Sequence, residues 1–332
     1  YSFNTLIYYL NRTSSESMFT EAQLYENINR IVKLLDYKPI GYQTSTLAFQ
    51  CSADNSFTKG IYTIPRYSYI MVGNVPFSFN EDVSFNIPNS NTSIELTDIS
   101  NKKLLYQGVF RENSVYTAAG DSNEVVTVNI SNALVDHFNL DVYVWETRQS
   151  KWVQYDEVPN IYTEQAYTRC FEKRLNPSSL YEVTFGDGIN GRKLETGDKV
   201  AIYFLQSSGD KGLIGPGALL GSSTTPVVYS TSMFSDILSS VNEEGFNYIK
   251  TTQFKGLVFN NIAGSTVPKD VETADSIRRN APANFKSQYR LVTQGDYESF
   301  VKTNFANFIS DVRVFTNWDY TGGYLKYFHD IN

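Results

Sequence analysis

The sequence has few of the residues that usually carry enzymatic and metal chemistry. Its 332 residues include only two cysteines and two histidines. Cys51 and Cys170 lie far apart along the chain, so they form neither a disulfide framework nor a metal-binding spacing, and they fit a protein assembled in reducing cytoplasm. A structural zinc site needs four suitably spaced Cys or His ligands. We therefore expect no metal and no cofactor.

Long apolar runs and basic clusters are also scarce. No segment approaches the roughly 18 apolar residues of a membrane span, and no secretory signal is visible. The net charge is -7, and basic residues come at most as pairs such as Arg278-Arg279. Because phosphate binding needs clustered basic side chains, we expect no nucleic acid binding. Because no apolar run is long enough to span a membrane, we also expect no direct membrane insertion. The chain begins with Tyr1 instead of Met, which indicates a fragment or a processed product.

Aromatic side chains, by contrast, are abundant. The chain has 24 tyrosines, 22 phenylalanines and 3 tryptophans, together 15% of its residues. Such side chains favour strands, and Tyr and Trp are also enriched at protein interfaces because they bury area and keep a polar group. Composition alone leaves both uses open. The length favours two to four domains.

The first two thirds of the chain predict helix and then strands. Residues 19–36 place apolar side chains on one face at helical spacing, with Thr20 as the N-cap and Gln23 completing a capping box. Further along, apolar residues alternate with a period of two, which is typical of short strands in β-sandwich-like modules. We assign 1–60 to a helical N-terminal segment and 61–205 to a β-rich region, interpreted as two modules with an insertion near 92–178.

Helical spacing returns in the last third. Residues 206–232 are rich in Gly, Ser and Thr and predict a linker before a C-terminal α+β domain at 233–332. In that domain we expect a helix that stops before Pro282 and a second helix capped by Thr293, with Asp296 at the capping-box position. Strands are predicted at 312–314 and 324–328. The predicted fold class is α+β, multi-domain and β-rich, with an N-terminal helix, central β-sandwich-like modules and a C-terminal α+β domain.

A glycine-rich segment is the most tempting chemical motif. Residues 186–191 read G-x-G-x-x-G after a strand-like run. A dinucleotide site needs such a loop to open a helix, whereas turn residues and another strand follow here. We interpret the segment as a connection between strands, in which glycines allow positive backbone dihedrals and an aspartate bonds neighbouring amides. The predicted structural-turn residues are Gly186, Asp187, Gly188, Gly191 and Gly197.

Other candidates for catalysis are weak. His137 stands beside Asp136, a fragment of a general base, but no nucleophile motif accompanies the pair. A structural histidine is therefore the preferred interpretation. Glycosidase chemistry needs two carboxylates that face one another across a cleft, and nothing in the sequence points to such a pair. We expect the protein not to be an enzyme.

Two blocks of sequence resemble the baseplate J-like family. The block at 181–212 is similar to the family's F-G-D-G…G…G-D…Y…G…G strand–turn–strand, and the block at 272–297 is similar to its E-T…I-R…A-P…R…V-T…D-Y signature. A weaker third match lies at 105–109, so the resemblance spans roughly 105–300 in family order. At 263–270 the chain lacks the family's frequent Gly-Gly-x-Asp-x-Glu.

This resemblance implies a structural subunit of a contractile phage tail baseplate. Such a subunit dimerises and links adjacent wedges into a ring that stays intact during the conformational change of the baseplate. Its partners would be a second copy and other baseplate wedge proteins, and its location would be the tail baseplate of the virion, after assembly in the host cytoplasm. The family has no catalytic residues to carry over. For Glu272 and Arg278 the resemblance implies helix-positioning roles, by dipole or ion pairing.

Aromatic density points to the C-terminal end, residues 285–332, for a contact with another protein. The same side chains also suit the core of the domain itself. A receptor-binding or adhesin-like tail module is the alternative function, in which the strand-rich middle would contact carbohydrate or a host protein, and the predicted capped helices argue against it. A cell-wall hydrolase would need a cleft with paired carboxylates or a Cys/His pair. The candidate interface residues are Phe285, Tyr289, Trp318, Tyr320, Tyr324 and Tyr327.

Overall fold

The structure is a computed structural model. It describes residues 2–100, 103–128, 134–220, 224–242, 246–287, 290–305, 309, 311–316 and 319. Contacts within the chain divide it into two compact units, both assembled from separate segments. The first unit is Tyr1–Ile40, Leu175–Ser179 and Val271–Asn332, and the second is Gly41–Arg174 and Leu180–Asp270.

The chain is α+β, multi-domain and rich in strand, as predicted. The helices of the described residues are α1 (Ser2–Glu16), α2 (Tyr25–Val32), α3 (Thr97–Ser100), α4 (Ser232–Val241), α5 (Thr251–Phe254), α6 (Ala274–Ser287) and α7 (Gln294–Asn304). The strands are β1 (Thr46–Ala48), β2 (Gln50–Ala53), β3 (Gly60–Ile64), β4 (Tyr69–Val72), β5 (Val75–Ser78), β6 (Val83–Ile87), β7 (Ile94–Glu95), β8 (Leu104–Gln107), β9 (Val109–Glu112), β10 (Tyr116–Thr117), β11 (Val125–Val128), β12 (Leu134–Glu146), β13 (Lys151–Glu157), β14 (Cys170–Leu175), β15 (Tyr181–Phe185), β16 (Lys199–Ser207), β17 (Thr224–Val227) and β18 (Leu257–Asn260).

The second unit is built from sheets. Its largest sheet has the order β10-β16-β12-β13-β14-β15-β11, with β9 pairing to β16, and a five-stranded sheet has the order β1-β8-β5-β4-β17. Smaller sheets pair β18-β2-β7 and β3-β6. The long strands β12 and β16 run antiparallel, with a register shift between Val135 and Leu140. Residues 200–205 of β16 are all buried, which a continuous apolar run permits when both faces of a strand are covered.

Strand β6 confirms the predicted period of two, because Val83, Phe85 and Ile87 are buried and the residues between them are exposed. The predicted linker at 206–232 instead contains β17, which pairs antiparallel with β4, and it belongs to the second unit. Backbone pairing to an existing strand overrides the Gly- and Ser-rich composition there. Similarly, the predicted helical segment 1–60 also contains β1 and β2.

In the first unit, α2 begins later than predicted. Its N-cap is Leu24, with no side-chain capping bond, so Thr20 and Gln23 do not form the predicted capping box. The carboxylate of Glu16 takes over this role by accepting hydrogen bonds from the backbone N–H groups of Gln23 and Leu24 at 3.2 Å and from the Asn27 side chain at 3.0 Å. A carboxylate at a helix N-terminus satisfies free amides and complements the helix dipole.

Helix α6 also departs from prediction, because it continues through Pro282. A proline inside a helix removes one backbone hydrogen bond and costs about 3 kcal/mol. Packing offsets this cost, since Ile277 and Ala281 are fully buried in a cluster with Ile28 and Val32 of α2. Residues 311–316 form no strand, which corrects the prediction at 312–314, and residues 324–328 lie outside the described residues.

Candidate functional site

The glycine-rich segment is a turn between strands and does not open a helix. It follows β15 and is closed by backbone hydrogen bonds from Asp187 to Asn190 (3.3 Å) and from Gly188 to Gly191 (3.2 Å). Gly188 and Gly191 have φ of +89° and +72°, in the region that glycine adopts most readily. The segment therefore lacks the helix N-terminus that a dinucleotide pyrophosphate requires.

Asp187 stabilises this turn from within. Its Oδ1 accepts hydrogen bonds from the backbone N–H groups of Asn190 at 2.7 Å and Ile189 at 2.8 Å. These bonds hold the pKa of the Asp187 carboxyl below its usual range. The carboxylate is thus engaged as an Asx-type turn residue, as the sequence predicts.

The glycines allow close packing as well as unusual dihedrals. A Cβ on Gly186 would overlap the backbone carbonyl of Gly191. One on Gly191 would lie 3.0 Å from Ile161 Cγ1 and 3.1 Å from Cys170 Sγ, so this glycine lets the turn lie against β14. Gly197 lies two residues before β16 and has a φ of +91°. Its N–H donates to Ala118 O at 3.0 Å.

A buried carboxylate lies directly beside the turn. Glu146, at the end of β12, has a fully buried side chain and accepts from Arg169 Nε at 2.7 Å and Nη2 at 2.9 Å. Arg192, which follows Gly191, approaches the same carboxylate at 3.1 Å. The hydrogen bond that Arg169 donates to Glu146 raises the pKa of Arg169. The two guanidinium groups thus tie the turn and β14 to the end of β12.

Asp198, in the G-D part of the first signature block, also serves the backbone. Its side chain is buried and accepts hydrogen bonds from the N–H groups of Thr147 at 2.9 Å and Glu195 at 3.0 Å. Asp187 and Asp198 thus fix the connection between β15 and β16, and Asp198 also holds the turn that follows β12.

In the second signature block, Glu272 organises the start of α6. Its carboxylate accepts from Tyr37 Oη at 2.9 Å, from the Ile40 N–H at 3.2 Å and from Ser276 Oγ at 2.7 Å. Burial, followed by the charge of Glu272, raises the pKa of Tyr37. Arg278 on the same helix donates to the Ala22 carbonyl at 2.6 Å and pairs with Asp275. Both residues therefore position α6, by hydrogen bonds and an ion pair.

The end of the second block holds the capping box predicted for α7. Thr293 is the N-cap; its Oγ1 accepts from the Asp296 N–H at 3.3 Å, and its own N–H donates to Asp296 Oδ2 at 2.8 Å. These bonds hold the pKa of Asp296 below its usual range. The box satisfies two backbone donors that a helix start otherwise leaves without partners.

His137 and Asp136 do not form a catalytic pair. His137 Nδ1 accepts from the Gly41 N–H at 3.1 Å and lies 3.1 Å from Tyr181 Oη, while Asp136 accepts from the N–H groups of Thr44 and Asn139. Burial, with the nearby positive charge of Lys173, lowers the pKa of His137 well below its usual value. A histidine held neutral between structural partners fits the structural role expected from the sequence.

Among the described residues, no group of three or more His, Cys, Asp or Glu side chains is placed to hold a metal ion. Nor does the described part of the chain contain a helix that is both long and apolar enough to cross a membrane.

The predicted aromatic interface is only partly described. Phe285 on α6 is 52% exposed. Tyr289, Trp318, Tyr320, Tyr324 and Tyr327 lie outside the described residues. Sequence reasoning missed two other features, the buried Glu146 with its two arginines and the helix α1. For α1 the signal was present in the spacing of Phe3, Leu6 and Leu10.

Comparison with known proteins adds little. No family model matches the chain, and no curated protein matches it. One matching solved structure is a chain of the type VI secretion system TssK-TssF-TssG baseplate subcomplex, at 8% identity, with a TM-score of 0.38, covering 93% of this chain and 81% of that one. A likeness at this level does not establish a common fold.

Proposed function

We propose that the chain is a structural subunit of a contractile tail baseplate and not an enzyme. The observation that carries the proposal is the structural role of the residues in the two signature blocks. The glycines of the first block permit tight turns, and Glu272, Arg278 and Asp198 hydrogen-bond to backbone groups. Signature residues that serve backbone geometry fit a protein that acts through its shape and its interfaces.

The finer proposal concerns its place in that assembly. The resemblance of the two blocks favours the C-terminal part of a baseplate wedge protein of the kind that builds the ring between wedges. In this role the subunit dimerises, binds other wedge proteins, and keeps adjacent wedges linked while the baseplate changes shape. The ion pairs of the buried Glu146 support such a role, because a unit with fixed connections between its strands can move as one body.

Labelling tests the location. An epitope inserted between Gly73 and Asn74, in the exposed turn between β4 and β5, should leave the neighbouring strands intact. Contractile particles from the host that carries the gene, complemented with the labelled chain, are then examined by immunogold electron microscopy. We expect gold at the baseplate end of the tail. Unlabelled particles are the control for non-specific gold.

The same experiment distinguishes the baseplate proposal from the alternative function. Gold on distal fibres would favour a receptor-binding or adhesin-like module and contradict the baseplate proposal. Complete particles that lack the label, although the labelled chain is expressed and folded, would contradict both functions. A cell-wall turbidity assay with the purified chain tests the absence of enzymatic activity, and clearing of the suspension would contradict it.

A further inference from the structure

Helix α1 exposes an unusual amount of apolar side chain. Every residue from 3 to 14 is exposed. Single exposed apolar residues are normal on a protein surface, but a contiguous group of this size marks an interaction site. The large apolar side chains and their exposed fractions are Phe3 70%, Leu6 55%, Ile7 41%, Tyr8 59%, Tyr9 59% and Leu10 60%.

A helix of this kind needs a partner. Isolated helices shorter than about 12–15 residues are marginal in water even with good helix formers, because helix nucleation is costly. Helix α1 has 15 residues, and its sequence includes asparagine, threonine and tyrosine, which are weaker helix formers. Its stability therefore depends on burying an apolar face.

The apolar residues have the spacing of a helix–helix seam. Phe3, Leu6 and Leu10 follow the 3-4 spacing of positions a and d in a heptad, and Ile7 and Tyr9 flank them. Polar residues occupy the other side of the helix, apart from Tyr8. We call Phe3, Leu6 and Leu10 the α1 seam. This spacing favours another helix, rather than a strand or a small molecule, as the occupant.

We propose that the α1 seam pairs with the α1 seam of a second copy of this chain. No charged residue lies on the seam: Arg12 is on the polar side, and Glu16 is engaged in capping α2. Two identical seams therefore meet without like-charge repulsion, and the contact closes with two-fold symmetry. The choice of a second copy as the partner rests on the dimerisation proposed above. The location in the tail is tested separately, by the epitope-labelling experiment.

The area of the seam is sufficient for such a pair. Phe3 is 70% exposed, and Tyr9 beside the seam is 59% exposed. With the aliphatic side chains included, pairing two copies removes on the order of 1,000 Å² from water, which reaches the lower limit for a specific interface. A contact of this size suits a dimer that further partners stabilise in an assembly.

Sedimentation equilibrium of the 332-residue chain tests the pairing. The parent chain should approach twice its mass of 37.7 kDa as concentration rises. Leu6→Gln with Leu10→Gln keeps helix propensity but makes the seam polar, and it should weaken dimerisation by a factor of at least about 100. The matched control, Tyr8→Gln with Asn11→Gln, changes the same helix away from the seam and should remain close to the parent.

Cross-linking gives a second readout. Leu6 lies midway along the seam, so a cysteine there meets its counterpart in either a parallel or an antiparallel pair. Leu6→Cys should form a covalent dimer on mild oxidation, and Tyr8→Cys, with a similar exposed fraction of 59% against 55%, should form far less. The native Cys51 and Cys170 are both buried, so they should not interfere.

The outcomes are distinguishable. A parent that stays monomeric at every concentration would overturn both this pairing and the proposed dimerisation, and would leave α1 to a preceding segment or to a helix of another protein. A dimer unaffected by the Leu6 and Leu10 changes but lost in Phe285→Gln would overturn the α1 pairing alone. A stable assembly of more than two copies would also overturn a two-helix contact.

Discussion

The same aromatic residue types occupy opposite environments in two regions of the chain. In the second unit, Phe234 of α4 is fully buried, with its ring centroid 5.0 Å from that of Tyr67 and 5.6 Å from that of Tyr203. In α1, Phe3 and Tyr9 are 70% and 59% exposed. The composition was compatible with aromatic side chains in a core or at an interface, and the chain contains both buried and exposed aromatic side chains. Aromatic content alone therefore does not distinguish a core from a surface available for contacts.

The largest expected effect comes from a matched pair of substitutions, one at a buried phenylalanine and one at an exposed phenylalanine. Phe234→Ala removes a fully buried ring and should lower the free energy of unfolding by about 3–5 kcal/mol. Phe3→Ala removes the same ring from an exposed site, and in dilute monomeric protein it should change that free energy by less than about 0.5 kcal/mol. Urea unfolding monitored by tryptophan fluorescence measures both. Equal losses in the two variants would contradict the burial of Phe234 or the exposure of Phe3.

The next effect concerns buried charge in the second unit. Glu146→Gln leaves Arg169 and Arg192 without their shared carboxylate, and it should cost about 2–4 kcal/mol, reduced from a fully buried case because Arg169 is 37% exposed. The control is Glu81→Gln, since Glu81 pairs with Lys103 at an exposed site and its loss should cost under about 1 kcal/mol. The same urea titration applies. A loss for Glu146→Gln no larger than for Glu81→Gln would show that the ion pairs do not hold the turn.

A smaller effect depends on pH. The pKa of His137 in the folded protein is lowered by burial, so the folded state keeps the ring neutral while the unfolded chain takes up a proton below pH about 6.5. Stability is therefore fully present above that pH and falls as the pH drops, by up to about 1.4 kcal/mol per pH unit.

The measurement is the unfolding free energy at pH 7.0, 6.0 and 5.5. His137→Gln keeps a group that can accept from the Gly41 N–H but cannot titrate, so it should show a flatter profile than the parent. Parallel profiles would mean that another group carries the pH dependence.

The elements predicted correctly are those that local sequence determines. The alternation in β6, the positive dihedrals of Gly188 and Gly191, and the box of Thr293 with Asp296 each depend on residues within a few positions of one another. Local spacing cannot reveal partners that are distant in sequence.

Distant partners account for most of what was missed. Glu146 meets Arg192 only after the strands between them have paired, and β17 finds β4 across about 150 residues. The helix through Pro282 depends on packing against α2, which outweighs the local tendency of proline to end a helix. The gap between prediction and structure thus lies in long-range pairing and burial.

The smallest expected effect tests this view of local signals with two threonines. Thr293→Ala removes the N-cap of α7 and should cost about 1 kcal/mol, seen as faster amide hydrogen exchange in the first turn of that helix. Thr20→Ala alters a residue with the same capping signature, yet α2 begins at Tyr25 and the N–H of its N-cap, Leu24, donates to Glu16, so the exchange of α2 should not change. Faster exchange in α2 after Thr20→Ala would mean that Thr20 caps the helix in solution and that the local signal was correct. Glu16→Gln should instead speed exchange in α2, because an amide oxygen is a weaker acceptor than the carboxylate and carries no charge to complement the helix dipole.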